Sequence, residues 1–208
     1  SRCFEMMVED GNLEVLKLLS STSAEISQGE VLQLQHEGEI DMLEETYLKI
    51  ISAKTASLFA AATRVGSILA NKEKKIKDAL EFYGKNLGLT FQIADDTLDY
   101  NSELKLFGKK IGNDFYEGKI TLPIILLYQK AKQSEKEDIK NIFKKNERSE
   151  AEFKKILLMI KNYSIISDCY EKAKYFINLA SNSLSIFENS KEKDILKNLT
   201  SFSLDRTF

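Results

Sequence analysis

The chain has 208 residues, long enough to bury one sizeable core, and a single domain is the default at that length. Hydrophobic residues make up 43% and charged residues 30%, a balance that excludes a disordered chain, and no apolar run is long enough for a membrane-crossing helix. With 30 basic against 32 acidic side chains the net charge is −2, so no global field draws the chain to nucleic acid or to an anionic membrane.

The start, Ser1-Arg2-Cys3-Phe4-Glu5, has neither an initiator Met nor the apolar region of a signal peptide, and it reads like the interior of a helix. The expectation is a fragment. Cys3 and Cys169, the two cysteines, lack metal-ligand spacing and point to a reducing compartment, here the cytoplasm. There is one proline, Pro123, and almost no period-two alternation. Apolar residues recur at three- and four-residue intervals, which predicts an all-α chain, with no repeat of fixed period.

Asp10-Gly11-Asn12 reads as a turn, followed by a helix to about Gln35 and a polar loop over 36–43. His36, the single histidine, has no suggested partner and reads as a loop residue, not a catalyst. The next predicted helix runs from about Glu44 to Ala70. Tyr47, Ile51, Leu58, Ala62, Val65 and Leu69 form its apolar stripe. Lys54 falls at the centre of that stripe, with Thr55 beside it. A lysine there either snorkels to water or points into a cavity at an anionic ligand. Ala53, Ala56, Ala60 and Ala61 surround it and permit close helix packing.

A long helix is predicted from about Glu73 to Tyr100. At about 100° per residue, Leu80, Tyr83, Leu87, Phe91, Ala94 and Leu98 form the packing stripe. Gly84, Gly88, Gln92, Asp95 and Asp99 occupy the adjoining flank, with Asp96 a little beyond. Each helical glycine costs about 1 kcal/mol relative to alanine, so two of them one turn apart predict a close approach by another element. Asp95, Asp96 and Asp99 sit in an otherwise apolar run, where burial is costly unless a cation compensates. Hard carboxylate oxygens suit Mg²⁺, and Asp95 and Asp99, at i and i+4, can face one ion together. A solvated acidic edge is the alternative.

Residues 101–119 read as a loop holding three of the nine glycines: Gly108, Gly112 and Gly118. These frame Lys109 and Lys119, whose ammonium groups could reach phosphate oxygens, although an ordinary interhelical loop explains the segment equally well. Shorter helices follow. From Gln129 to Lys161 the charges alternate in sign, as on a solvated face, which argues against nucleic acid.

Taken together these segments resemble the trans-prenyltransferases, the all-helical isoprenyl diphosphate synthases. Asp95-Asp96-Thr97-Leu98-Asp99, preceded by Phe91-Gln92, is similar to that family's second DDxxD motif. Gly29-Glu30-Val31-Leu32-Gln33-Leu34, Lys54-Thr55-Ala56 and Gly108-Lys109 through Gly118-Lys119-Ile120-Thr121-Leu122-Pro123 match in order and spacing. The similarity is strong to about Leu127 and weak beyond, and it is closest to the long-chain bacterial type, the octaprenyl diphosphate synthases of quinone side-chain synthesis. It implies one domain over residues 1–208, a helical bundle of the isoprenoid synthase type lacking its N-terminal helices. Two departures stand out. Thr97 replaces a usual apolar residue, and the family's earlier DDxxD motif and isopentenyl diphosphate-binding residues have no counterpart.

The resemblance implies condensation of isopentenyl diphosphate with an allylic diphosphate, using Mg²⁺. Asp95 would be the principal metal ligand, with Asp96 and Asp99 acting directly or through water. Lys54 and Lys109 would hold the allylic diphosphate, Lys119 would add charge, and Gln92 and Thr55 would hydrogen-bond near the diphosphate or the reacting carbons. A homodimer joined through the N-terminal half is expected, and any membrane contact is peripheral, through the product. With one aspartate-rich face only, the chain alone is expected to be nearly inactive. The competing readings are a non-catalytic or regulatory subunit of a heteromeric synthase, and a helical interaction module with no active site.

Overall fold

The computed structural model describes residues 2–101 and 111–205. Among them every regular element is helical, as the periodicity predicts. The order is α1 (Arg2–Asp10), α2 (Leu13–Gln35), α3 (Glu44–Ile51), a π turn (Ser52–Ala56), α4 (Ser57–Leu69), α5 (Lys74–Leu98), α6 (Asn113–Glu117), α7 (Leu122–Lys130), α8 (Gln133–Phe143), α9 (Glu150–Asn162), α10 (Ile165–Ser183), a 3₁₀ turn (Leu184–Ile186) and α11 (Lys191–Asp205). No described helix is long and apolar enough to cross a membrane.

Local chemistry sets several boundaries. Asn12 caps α2, its side chain accepting from the backbone N–H of Glu14 and Val15 at 3.0 and 3.2 Å. Pro123 lies in the first turn of α7, where a missing N–H costs nothing. Ser149 and Glu152 form a reciprocal capping box on α9. Lys145 and the Ser149 backbone and hydroxyl draw the Glu152 carboxyl down from the ordinary 4.5 to about 2. A depressed folded-state pKa stabilises above the unfolded value and is lost as pH falls through the folded one. Glu152→Gln should therefore be less stable than the parent at pH 7. The gap should close between pH 4.5 and about 2 in urea melts taken across that range.

Helix α5 is the axle of the bundle, packed between α4 and α10. From Asn86 to Tyr100 every residue is buried except Phe91, Gln92 and Asp95, which stay half-buried on one flank. The predicted glycine flank faces α4. A Cβ on Gly88 would lie 2.6 Å from Ala56 Cα, and one on Gly84 would lie 2.4 Å from the Phe59 carbonyl oxygen. On the opposite side α2 approaches as closely, for a Cβ on Gly29 would lie 2.7 Å from the Lys54 backbone nitrogen. The π turn is thus gripped between two glycines. Gly88→Ala gains about 1 kcal/mol of helix propensity but must push backbone from backbone. We expect a net loss of about 1–3 kcal/mol in urea unfolding, the sign showing that contact outweighs propensity.

The π turn also corrects the reading of Glu44–Ala70 as one helix with one stripe. Ser57 N–H bonds back to Ser52 C=O, and the Ser57 hydroxyl takes the Ala53 carbonyl at 2.6 Å. Tyr47 and Ile51 are buried as expected, but Leu58, Ala62 and Leu69 are exposed, and Ala60, Ala61 and Ile68 take the inner face. A wider turn resets the helical phase, so a stripe drawn at 3.6 residues cannot stay on one side. Helix α6 is a second addition, inside the segment expected to be loop. Gly112 and Gly118 bracket it in the left-handed region, at φ 91° and 79°.

Candidate active site

The C-terminal part of α2, the later part of α3, the π turn, the C-terminal half of α5 and the segment around α6 enclose a cavity of about 390 Å³. Lys54, Thr55, Gln92, Asp95, Asp96 and Lys119, all singled out from the sequence, lie on its wall. Lys109 lies outside the described residues.

Lys54 is at the wall because the π turn carries it there, and it has a counter-charge. Its Nζ lies 2.7 Å from the Glu30 carboxylate and 2.7 Å from Gln33 Oε1, both on α2. A half-exposed lysine so held is neither buried bare nor snorkelling freely. Thr55, the next residue, donates to Gln92 Oε1 at 2.8 Å, and Gln92 Nε2 donates to Asp96 Oδ1 at 2.7 Å. Tyr47 completes the chain, its hydroxyl donating to Asp96 Oδ2 at 2.7 Å.

The three acids of the DDxxD segment part company. Asp95, half-buried, lines the cavity. Asp96 is only 4% exposed and both its oxygens are engaged by Gln92 and Tyr47. Burial pushes its carboxyl up to about 7, although the Tyr47 and Gln92 hydrogen bonds oppose the rise. Burial also holds the Tyr47 phenol well above its ordinary range, so it stays a donor. Asp99 is buried and does not line the cavity. It accepts the backbone N–H of Asn113 at 3.2 Å and of Asp114 at 2.8 Å, at the start of α6. Asp95 and Asp99, expected to face one ion together, here meet different neighbours, Asp95 the cavity and Asp99, the C-cap of α5, the start of α6. Thr97, fully buried, satisfies its hydroxyl on the Ile93 carbonyl at 2.6 Å.

Four contributors had no site role assigned from the sequence. Asp114, on α6, brings a second cavity-facing carboxylate next to Asp95's wall. Glu30 and Gln33, at i and i+3 on the same helix face as Gly29, could have been found from that spacing. Tyr47 was read only as core. Lys119 sits on the rim, paired with Glu117 at 2.6 Å and Asp114 at 3.3 Å. The hydrogen bond to Glu117 raises its pKa and keeps it cationic. Thr121, 8% exposed, lies on the same wall with a hydroxyl that has no hydrogen-bond partner among the described residues. His36 also reaches the wall, its Nδ1 2.5 Å from Glu39.

Among the described residues no three His, Cys, Asp or Glu side chains are gathered closely enough to cage a metal. The donor set still fits Mg²⁺, which is usually held by one or two carboxylates plus substrate phosphates. Asp95 and Asp114 are the two aspartates on this wall, and Lys54 and Lys119 are cations lining the same cavity.

A family model described as polyprenyl synthetase matches residues 1–160. The chain belongs to the polyprenyl synthetase family. It is 35% identical over 206 residues to the all-trans-nonaprenyl-diphosphate synthase (geranyl-diphosphate specific) of Rhodobacter capsulatus, covering 99% of this chain and 62% of that protein. It is 43% identical over 125 residues to the octaprenyl diphosphate synthase of Escherichia coli, covering 60% of this chain and 39% of that protein. A polyprenyl synthase from Caulobacter crescentus, solved in complex with calcium and isoprenyl diphosphate, superposes with a TM-score of 0.94 at 36% identity. That match covers 100% of this chain and 63% of the other. The all-helical isoprenoid synthase fold, and membership among the trans-prenyl diphosphate synthases with long-chain relatives, are therefore established. The chain spans less than two thirds of the length of the Rhodobacter and Caulobacter proteins.

Proposed function

We propose that this chain carries the allylic half of a Mg²⁺-dependent prenyltransferase site, in which isopentenyl diphosphate condenses with an allylic diphosphate to give a long-chain polyprenyl diphosphate. The observation that carries the reading is one cavity wall bearing Lys54, Thr55, Gln92 and Asp95 together. In the reaction the allylic C–O bond breaks and its electron pair leaves with diphosphate. The isopentenyl double bond forms the new C–C bond at the allylic carbon, and a proton is lost. Bound Mg²⁺ would supply charge neutralisation to the departing diphosphate. Asp95 and Asp114 would hold it, with Asp96 and Asp99 supporting from behind the wall. Lys54 and Lys119 place positive charge for the phosphate oxygens, a role Lys109 shares by the family resemblance. The Thr121 hydroxyl, lacking a partner among the described residues, is a further donor. Thr55 and Gln92 line the wall with oxygens that suit a cationic carbon.

The test is incorporation of labelled isopentenyl diphosphate with Mg²⁺, by residues 1–208 alone and by residues 1–208 joined to the part of the Rhodobacter synthase they do not match. Little turnover alone and robust turnover when joined is the expected result. No turnover in the joined chain would overturn the catalytic reading in favour of a regulatory subunit. We further propose self-association through the N-terminal half. Phe4, Met6 and Val8 on α1, with Leu13, Val31 and Leu34 on α2, are exposed apolar residues that a second copy would cover. Sedimentation at micromolar concentration should show a dimer, and a monodisperse monomer would refute it.

A further inference from the structure

We propose that Tyr47 and Asp96 are positioning residues: together they lock the Gln92 amide with its nitrogen on Asp96 and its oxygen beside the Thr55 hydroxyl at the cavity wall. The inference rests on the prenyl diphosphate reading of that cavity and adds a role for Tyr47 and a specific one for Asp96.

Gln92 Nε2 donates to Asp96 Oδ1 at 2.7 Å, and the amide oxygen is the atom that meets Thr55. Thr55 has one hydroxyl proton and gives it to that oxygen at 2.8 Å. The Thr55 proton is thus spent on the amide oxygen and one of the two Gln92 N–H protons on Asp96, which holds the oxygens of both groups at this wall, the polarity that favours a cation. The lock depends on Asp96 holding its orientation. Its second oxygen is fixed by Tyr47 Oη at 2.7 Å, 49 residues away on α3. Asp96 is 4% exposed and Tyr47 3%, so bulk water cannot substitute for either bond. Without the phenol the carboxylate loses the donor that fixes its plane, and the amide can turn its NH₂ to the cavity.

This also explains why an acid is buried beside Asp95 with both oxygens occupied. Its task is to hold the Gln92 amide from behind the wall.

Tyr47→Phe deletes one oxygen and keeps the ring. Two measurements on residues 1–208 at pH 8 decide the matter. The first is hydrogen exchange of the Gln92 side-chain NH₂ by nuclear magnetic resonance, the signal assigned by its loss in Gln92→Met. Protection should fall about tenfold in Tyr47→Phe, and unchanged protection overturns the lock. The second compares a diphosphate analogue with ammonium nitrogen at the reacting carbon against its neutral carbon isostere. The preference for the ammonium form should fall about tenfold, while affinity for the neutral isostere stays within twofold. An unchanged preference, or equal loss for both analogues, overturns the proposal. If the parent chain binds neither analogue, the diphosphate reading fails instead, and the exchange measurement still decides whether Tyr47 holds the amide.

Discussion

Asp95→Asn should lower turnover of the joined chain by at least about 100-fold while leaving its thermal midpoint almost unchanged. The side chain keeps its size and loses a negative charge that faces the cavity. Removing one electrostatic stabiliser of a leaving group typically costs ~3 kcal/mol or more of transition-state energy, about 100-fold in rate. Asparagine nearly matches aspartate in size, so the packing around this half-buried position is kept. Asp99→Ala should show the opposite pattern. That carboxylate holds the N–H groups of Asn113 and Asp114, and its loss costs about 1 kcal/mol of stability, as helix caps do. Turnover should fall less, through displacement of Asp114. Labelled incorporation beside urea melts on both variants separates the two roles, and equal losses of turnover would return Asp99 to the metal.

The contrast also shows what a sequence can and cannot disclose here. Helical periodicity located α2 and α5 to within a few residues, because long amphipathic segments average out local exceptions. The flank of Gly84, Gly88 and Gln92 was legible because helical glycines need a reason, and the reason is α4. The stripe beyond Lys54 failed because a π turn leaves no mark on a 3.6-residue count. Five residues of α6 are too few to show a period, so Asp114 went unread although Gly112 and Gly118 bracket it. Tyr47 was legible as core and illegible as a partner of Asp96. Nothing local announces a hydrogen bond spanning 49 residues, and a buried tyrosine looks the same in either role.

Lys54→Met should weaken binding of inorganic pyrophosphate with Mg²⁺ by about 10- to 100-fold, measured by calorimetry on residues 1–208. Methionine keeps most of the stem and removes the charge. A hydrogen bond to a charged group contributes about 1.5–3 kcal/mol, which is one to two decades in affinity. Folding stability should change by less than about 1 kcal/mol, because the pair with Glu30 is 38% and 51% exposed and water screens it. The same pair gives the prediction a second side. Before a diphosphate binds, Lys54 is held by Glu30 and Gln33, and the incoming anion must compete for it. Glu30→Gln removes the charged competitor and keeps the shape. Pyrophosphate affinity should then rise by about twofold to fivefold, the size of an exposed ion pair. If Glu30→Gln weakens binding instead, Glu30 is aiming Lys54 rather than restraining it. If Lys54→Met leaves affinity unchanged, the diphosphate is not held at this wall.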